Sequence, residues 1–425
     1  HIGSLSALEV LSLCENSIEE LPDSFGHLAN LRTCSLVHNR LRTVPDGFGD
    51  LMSLEHLALS YNPIESLPPS FCRLRALRSL HIYHGALTAW PDGDDMPALQ
   101  DLRLDFNRIV RLPETFGRLS RLQELRLGEN LLCELPESFG DLSALRMLFL
   151  SSNQLTSLPE SFGRLLSLEK LSLGDNRLTA LPECFGDLKG LRELSLSQNR
   201  LVTLPERFCE LQSLQLLELY HNRLESLPSS FGRLVGLRIL YIGANDLAVL
   251  PESFGELKAL RNLSLNANRL THLPDSFGQL VSLRSLSSSA NLLTALPEGF
   301  GELRELQHLR LEGNRLARLP DSFGQLRALR TLHLSLNRLE SLPESFCQLT
   351  SLHALSLDYN RLKSLPRGFW QMTALQELDL RWNTPGLAFV RSLRRYAHEF
   401  ASSWLRSCCC CGGAAPLMHR VLDAR

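Results

Sequence analysis

Four histidines, His38, His56, His81 and His84, lie close together near the start of the chain, and imidazoles grouped in this way invite a metal-binding reading. Their offsets put them on neighbouring strands of the repeat described below, about 8 Å or more apart, whereas zinc holds each ligand at about 2 Å. A shared metal site is not expected. A Walker A phosphate loop is excluded, because none of the four lysines, Lys170, Lys189, Lys258 and Lys363, follows a glycine. Neither H-E-x-x-H nor G-x-S-x-G occurs, and the carboxylates that recur as L-P-E or L-P-D keep a fixed period instead of converging. No catalytic residue, cofactor or metal is expected, and the chain reads as non-enzymatic.

What positions these residues is a repeat. Asn recurs every 23 residues, as at Asn130, Asn153, Asn176, Asn199 and Asn222, with one 22-residue unit between Gly85, which replaces an Asn, and Asn107. The frame is L-x-x-L-x-L-x-x-N-x-L-x-x-L-P-x-x-F-G-x-L, and it takes up 15 of the 19 Phe and 16 of the 21 Pro. The L-x-L alternation predicts a short strand with one face inward, and equivalent strands stacked about 4.8 Å apart predict a parallel sheet. The Asn side chain suits a turn whose backbone groups would otherwise be buried without partners, so the Asn column reads as structural. Pro and the acidic residue after it predict the start of a short helical segment, with Phe packing inward from the outer side. One repeat cannot bury this face alone, so neighbours must supply the stability.

With this frame over residues 1 to 383, the chain resembles a leucine-rich repeat protein of the 23-residue intracellular kind. The L-P-x-x-F-G-x-L segment is similar to repeats of plant intracellular Ras-group-related proteins, of the Ras suppressor protein and of Scribble-type scaffolds. The resemblance implies an α/β solenoid, a horseshoe or arc with a parallel concave sheet and short helical or irregular convex segments. It also implies a protein partner, such as a small GTPase or a phosphatase, and a role in signal transduction. Such repeats serve many partners, so the fold alone does not name one.

The composition agrees with a folded, water-exposed chain. Of 425 residues, 44% are hydrophobic and 21% charged, which argues against disorder. Lys+Arg at 44 against Asp+Glu at 46 gives a net charge of −2, so the basic field of a nucleic-acid binder is missing. Charged or polar residues interrupt every apolar run, so no membrane-spanning helix is predicted. Seven cysteines are scattered singly, among them Cys34 at a Leu position and Cys72, Cys209 and Cys347 where most repeats place Gly. They read as small apolar replacements in a reducing, cytoplasmic setting rather than as a disulfide framework. The chain begins at His1 inside a repeat, so further sequence is expected before it.

The non-Leu positions of each strand face outward on the concave side, which turns the repeat into a surface map. A middle patch gathers Leu216, Glu218, Tyr220 and His221 with Ile239 and Tyr241, where aromatic anchors of the kind that dominate interfaces stand on an exposed sheet. An earlier patch holds His81, Tyr83, Asp101, Arg103, Asp105, Glu124, Arg126 and Phe149, where Arg alternates with carboxylates. A third holds Arg310, Glu312, His333, Asp358, Tyr359, Asp379, Arg381 and Trp382. Small residues such as Ser172, Gly174, Ser195 and Ser197 lie between them as smooth tracks. Each patch could equally be an ordinary solvated sheet face; Tyr220, Tyr241, Arg103 and Arg126 are the strongest candidates for partner contact.

Two departures from the frame predict irregularity. The unit after Gly85 reads W-P-D-G-D-D-M-P and lacks the Phe, and Ser288 replaces an inward Leu, so local weakness is expected at both. Three segments follow: a solenoid over 1–386 of about seventeen registers, a basic amphipathic helix over 387–407 that suits a cap, and a Cys run with a disordered tail over 408–425. Cys408, Cys409, Cys410 and Cys411 beside that basic helix are candidate lipidation sites, which would give peripheral membrane contact. The reading that results is an interaction scaffold or adaptor that binds a protein on its concave face. The alternative is the repeat portion of a larger enzyme or receptor, such as a GTPase-kinase, a cyclase or an immune receptor, with its catalytic domain upstream.

Overall fold

The computed structural model describes residues 2–93 and 96–383. Seventeen three-residue strands, β1 (Val10–Ser12) to β17 (Glu377–Asp379), form a single open parallel sheet in chain order. Residues 23 apart are partners, as Leu148 is with Leu171, so the sequence period becomes the pairing register. The middle Leu of each strand faces the core, and Leu148 and Leu171 are fully buried.

The Asn side chain ties each repeat to the one before it. Asn176 Nδ2 donates to its own turn, to the Leu173 and Gly174 carbonyls at 3.1 and 3.3 Å, and back to the Leu150 carbonyl at 3.0 Å. Its Oδ1 accepts the Leu155 N–H at 3.0 Å. Buried amide groups left unpaired would cost about 1 to 3 kcal/mol each, so one side chain offsets several such costs. At Gly85 the rung is missing: Ile64, fully buried, has no acceptor for its N–H among the described residues.

On the outer side the segments after Pro are 3-10 turns of five residues, as at Glu137–Asp141 and Glu160–Arg164. The Phe rings stack from turn to turn in three runs, Phe25 to Phe71, Phe116 to Phe208 and Phe231 to Phe369; Phe139 and Phe162 have centroids 6.2 Å apart and nearly parallel planes, within the favourable range for offset aromatics. The Gly after Phe lets the turns nest, since a Cβ on Gly140 would lie 2.2 Å from the Ser161 carbonyl oxygen.

This clearance changes the meaning of three cysteines. Cys72, Cys209 and Cys347 occupy that Gly position, and each is followed by an altered outer segment. After Cys209 and Cys347 the 3-10 turn shrinks to Phe231–Arg233 and Phe369–Gln371, and after Cys72 none forms among the described residues. A thiol there is a small replacement that displaces its neighbour. Cys34, by contrast, fits a Leu position, and burial pushes its thiol pKa up to about 12.

The short unit is irregular on its outer side, as expected, but its strands are not. Across the short unit, β4 (Ser79–His81) still pairs with β5 (Asp101–Arg103), Leu80 opposite Leu102, so the sheet is unbroken and the disturbance stays outside it. Trp90, standing at the Leu of L-P, packs its ring edge-on against Phe116 at 5.8 Å. Ser288 is fully buried, but its Oγ accepts a 3.3 Å bond from Asn291 Nδ2. That contact offsets part of the loss without replacing the missing methyls. Ser288→Leu should therefore stabilise the protein by about 1 to 2 kcal/mol, read as a higher Tm and denaturant midpoint, since an apolar side chain fits this register elsewhere in the array. The amphipathic helix and Cys run read from residues 387–425 lie outside the described residues.

Candidate protein-binding face

Each strand and the turn after it expose four residues towards the concave side, and parallel register lines these up as four columns running along the solenoid. The middle patch assembles as expected from the spacing. Leu216 pairs with Ile239 in the first column and Glu218 with Tyr241 in the second, all four partly exposed. Tyr220, 37% exposed, stands in the third column, and His221 beside it meets its ring edge-on at 5.7 Å. Next to Tyr220 the floor drops to Gly243 on one side and Ser197 on the other. The result is an apolar and aromatic knob between shallow polar hollows.

The earlier patch is a chain of charge running across six strands. A 2.9 Å hydrogen bond joins His81 Nε2 and Asp101 Oδ2, and Arg103 Nε donates to Asp101 Oδ1 at 3.2 Å. Glu124 is shared: Arg126 Nε donates to its Oε1 at 2.6 Å and Arg103 Nη2 lies 3.5 Å away. The Arg126 guanidinium then sits 4.7 Å over the Phe149 ring, Lys170 Nζ lies 5.9 Å from the same ring, and Lys170 pairs with Glu193 at 2.6 Å. Burial opposes ionisation of Asp101, but hydrogen bonds from His81 and Arg103 outweigh it and hold its carboxyl below the usual range. Arg103 and Arg126 are thus oriented by acids on their own sheet rather than free, which pre-sets their geometry for a partner at low entropic cost.

Sequence reasoning placed His221, Tyr359 and Trp382 in its patches but missed the fourth column to which they belong. The residue before each Asn adopts positive φ in every register, from Glu15 at 56° to Trp382 at 55°, and Gly313 is the single glycine among them. Four consecutive members stack: His38 on Tyr61 at 4.1 Å, Tyr61 on His84 at 4.6 Å, and His84 on Phe106 at 4.2 Å, with Tyr83 edge-on to Tyr61 at 5.4 Å. Two of the histidines first read against a metal therefore belong to an aromatic ladder. At the other end Tyr359 stacks on Trp382 at 5.7 Å, beside the charged pairs Arg310–Glu312 at 2.8 Å and Arg381–Asp379 at 2.5 Å. A signal was legible: no β-branched residue occurs in this column, as expected where φ must be positive.

Asp105 lies within the early patch and accepts the Gly128 N–H at 3.0 Å. Burial pushes its carboxyl pKa up, only partly countered by that bond and by Arg126. Since the folded value is raised, ionisation costs stability above the folded pKa, and the cost vanishes below the unfolded pKa. Asp105→Asn keeps an acceptor oxygen, so its Tm should exceed wild type at pH 7 and converge with it near pH 3, measured by thermal unfolding at both pH values.

No curated protein sequence matches the chain. Family matches are to the leucine-rich repeat region over residues 181–291 and 298–397, and to the leucine rich repeat over 1–41, 30–87, 97–155 and 157–201. Among solved structures, a leucine-rich repeat protein of Leptospira interrogans is 34% identical with a TM-score of 0.72, covering 91% of this chain and 93% of that one. The ectodomain of the membrane receptor kinase GASSHO1/SCHENGEN3 from Arabidopsis thaliana, solved with Casparian strip integrity factor 2, is 28% identical with a TM-score of 0.53. It covers 90% of this chain, which spans 54% of that one. The Drosophila Toll–Spätzle complex, at 24% identity and a TM-score of 0.69 over 90% of this chain and 59% of that one, shares the fold. Repeat frame, open parallel sheet and family matches reaching from residue 1 to residue 397 agree, and the chain belongs to the leucine-rich repeat family.

Proposed function

We propose that this protein is a non-enzymatic scaffold or adaptor that holds a protein partner on its concave face. The observation that carries this reading is the knob of Leu216, Ile239, Tyr220 and Tyr241, apolar and aromatic groups held outward on a rigid sheet beside hollows floored by serine and glycine. Aromatic side chains with few torsions to freeze are the usual anchors of interfaces, and small neighbours leave room for the partner's own bulk. The charged chain from His81 to Glu193 supplies direction, since fixed charges select the approach and register of a complementary surface more than they add affinity. The complex of the plant receptor ectodomain with its factor supports the reading by showing a related repeat array engaged by a polypeptide.

The partner class we propose is a small GTPase or a phosphatase in a cytoplasmic signalling pathway, on the strength of the resemblance in the repeat frame. Among the described residues no helix is long and apolar enough to cross a membrane.

Capture from native cell extract tests this. A Tyr220→Ala/Tyr241→Ala variant should retain at least about tenfold less partner than wild type, while its Tm stays within about 1 °C because both rings are partly solvent-exposed. Equal capture by the two proteins would refute the assignment of the knob. A retained small GTPase or phosphatase that is lost with the knob would support the partner class, and one held equally by an Arg103→Glu/Arg126→Glu variant would remove the charged chain from the interface.

A further inference from the structure

The edge of the solenoid at which the chain enters the sheet carries a surface that the concave-face reading does not use. The residue before each strand there is repeatedly arginine: Arg192, Arg238, Arg261, Arg284 and Arg330, all exposed. The backbone fixes their alignment, because Arg261 N–H donates to the Arg238 carbonyl and Arg284 N–H to the Arg261 carbonyl, each at 2.8 Å. Consecutive guanidinium groups therefore leave the edge at the strand spacing of about 4.8 Å. Like charges this close repel, and Arg238, Arg261 and Arg330 have no carboxylate partner among the described residues; Arg284 reaches Glu305 only at 3.7 Å. Glu210 nearby is tied to Lys189 and Glu169 to Arg146, while Glu256 stands unpaired against the row.

Beside this row the same edge exposes apolar tips. Leu166, Val235 and Val281 occupy one repeat position and are 65%, 57% and 53% exposed, among the highest values for large apolar residues in the molecule. At the same position Lys189 and the neutral Gln212 stand between Leu166 and Val235, and Lys258 stands between Val235 and Val281. The two rows share one surface, since Leu166, Arg146 and Arg192 line a single shallow depression of about 520 Å³ together with Glu169 and Gly190. Apolar tips interspersed with lysines, above a row in which Arg238, Arg261 and Arg330 have no carboxylate partner among the described residues, match the demands of a bilayer surface: a headgroup layer of negative charge over an apolar boundary. An acidic protein would satisfy the arginines but leave the apolar tips unexplained.

We propose that this edge, from Leu166 to Arg330, docks the solenoid on an anionic phospholipid bilayer, with Val235 and Val281 entering the headgroup boundary and Arg238, Arg261 and Arg284 on lipid phosphates. The full chain should sediment with vesicles containing about 30 mol% phosphatidylserine and not with pure phosphatidylcholine, and should be released by about 0.5 M salt. Arg238→Glu/Arg261→Glu/Arg284→Glu should lower the bound fraction about tenfold or more, and Val235→Ser/Val281→Ser, an arm that leaves the charge unchanged, should lower it without altering the wild-type salt dependence. All variants keep the basic tail, so its contribution is common to every arm. Equal binding of wild type to both vesicle types, no binding to either, or undiminished binding by both variants would overturn the proposal. So would retention of wild type on immobilised poly-L-glutamate with none on the anionic vesicles, which would assign the row to an acidic protein surface.

Discussion

Everything in this molecule hangs on how a buried turn finds hydrogen-bond partners. The chain must leave each strand through a sharp corner whose carbonyls and N–H groups face the core, where water cannot reach them. One amide side chain resolves this by bonding its own corner, the corner before it and the chain leaving that earlier corner, as Asn176 does with Leu173, Leu150 and Leu155. Because each bond set reaches across a repeat boundary, the register of one unit dictates that of the next, and the 23-residue period becomes a physical constraint. The aliphatic core and the Phe stack then fill a shape already set by the backbone.

The same constraint makes the surface. To aim its amide, Asn must follow a residue with positive φ, a conformation that costs a non-glycine residue about 1 kcal/mol or more. Sixteen such non-glycine residues carry that strain, which neighbouring bonds over-determine. The strained position becomes a column of outward side chains, aromatic near the two ends of the array and small or polar through much of the middle. Function on the concave face, and the proposed lipid contact on the edge, are both readings of such columns: what differs from repeat to repeat is free to differ because the frame does not use it.

The fold was legible because each framework residue has one physical role. Leu at alternate positions, Asn at the corner and Pro before the outer turn can be read without coordinates. The candidate residues were also legible, because register alone brings Leu216 beside Ile239 and Glu218 beside Tyr241. What escaped depends on distances that a spacing rule does not contain. Cys209 reads as a harmless replacement for Gly until a clearance of about 2 Å at that position shows why the next outer turn is cut short. The stacking of His38, Tyr61, His84 and Phe106 required knowing that their side chains leave a left-handed corner together. The short unit near Trp90 was expected to be irregular and is so on its outer side, where no 3-10 turn forms among the described residues, but its sheet stays whole because strand pairing tolerates a residue lost on the far side of the loop.

The central claim, that the Asn bonds rather than burial hold the corners closed, has a direct test within this one chain. Leu155 and Ile64 are equally buried, but the Leu155 N–H is bonded by Asn176 while the Ile64 N–H faces the missing rung at Gly85. Native-state hydrogen exchange should find Leu155 protected close to the level of the neighbouring strands and Ile64 exchanging at least about a hundredfold faster. Equal protection at the two sites would mean that packing alone closes the corners, and the account built on the Asn ladder would fail.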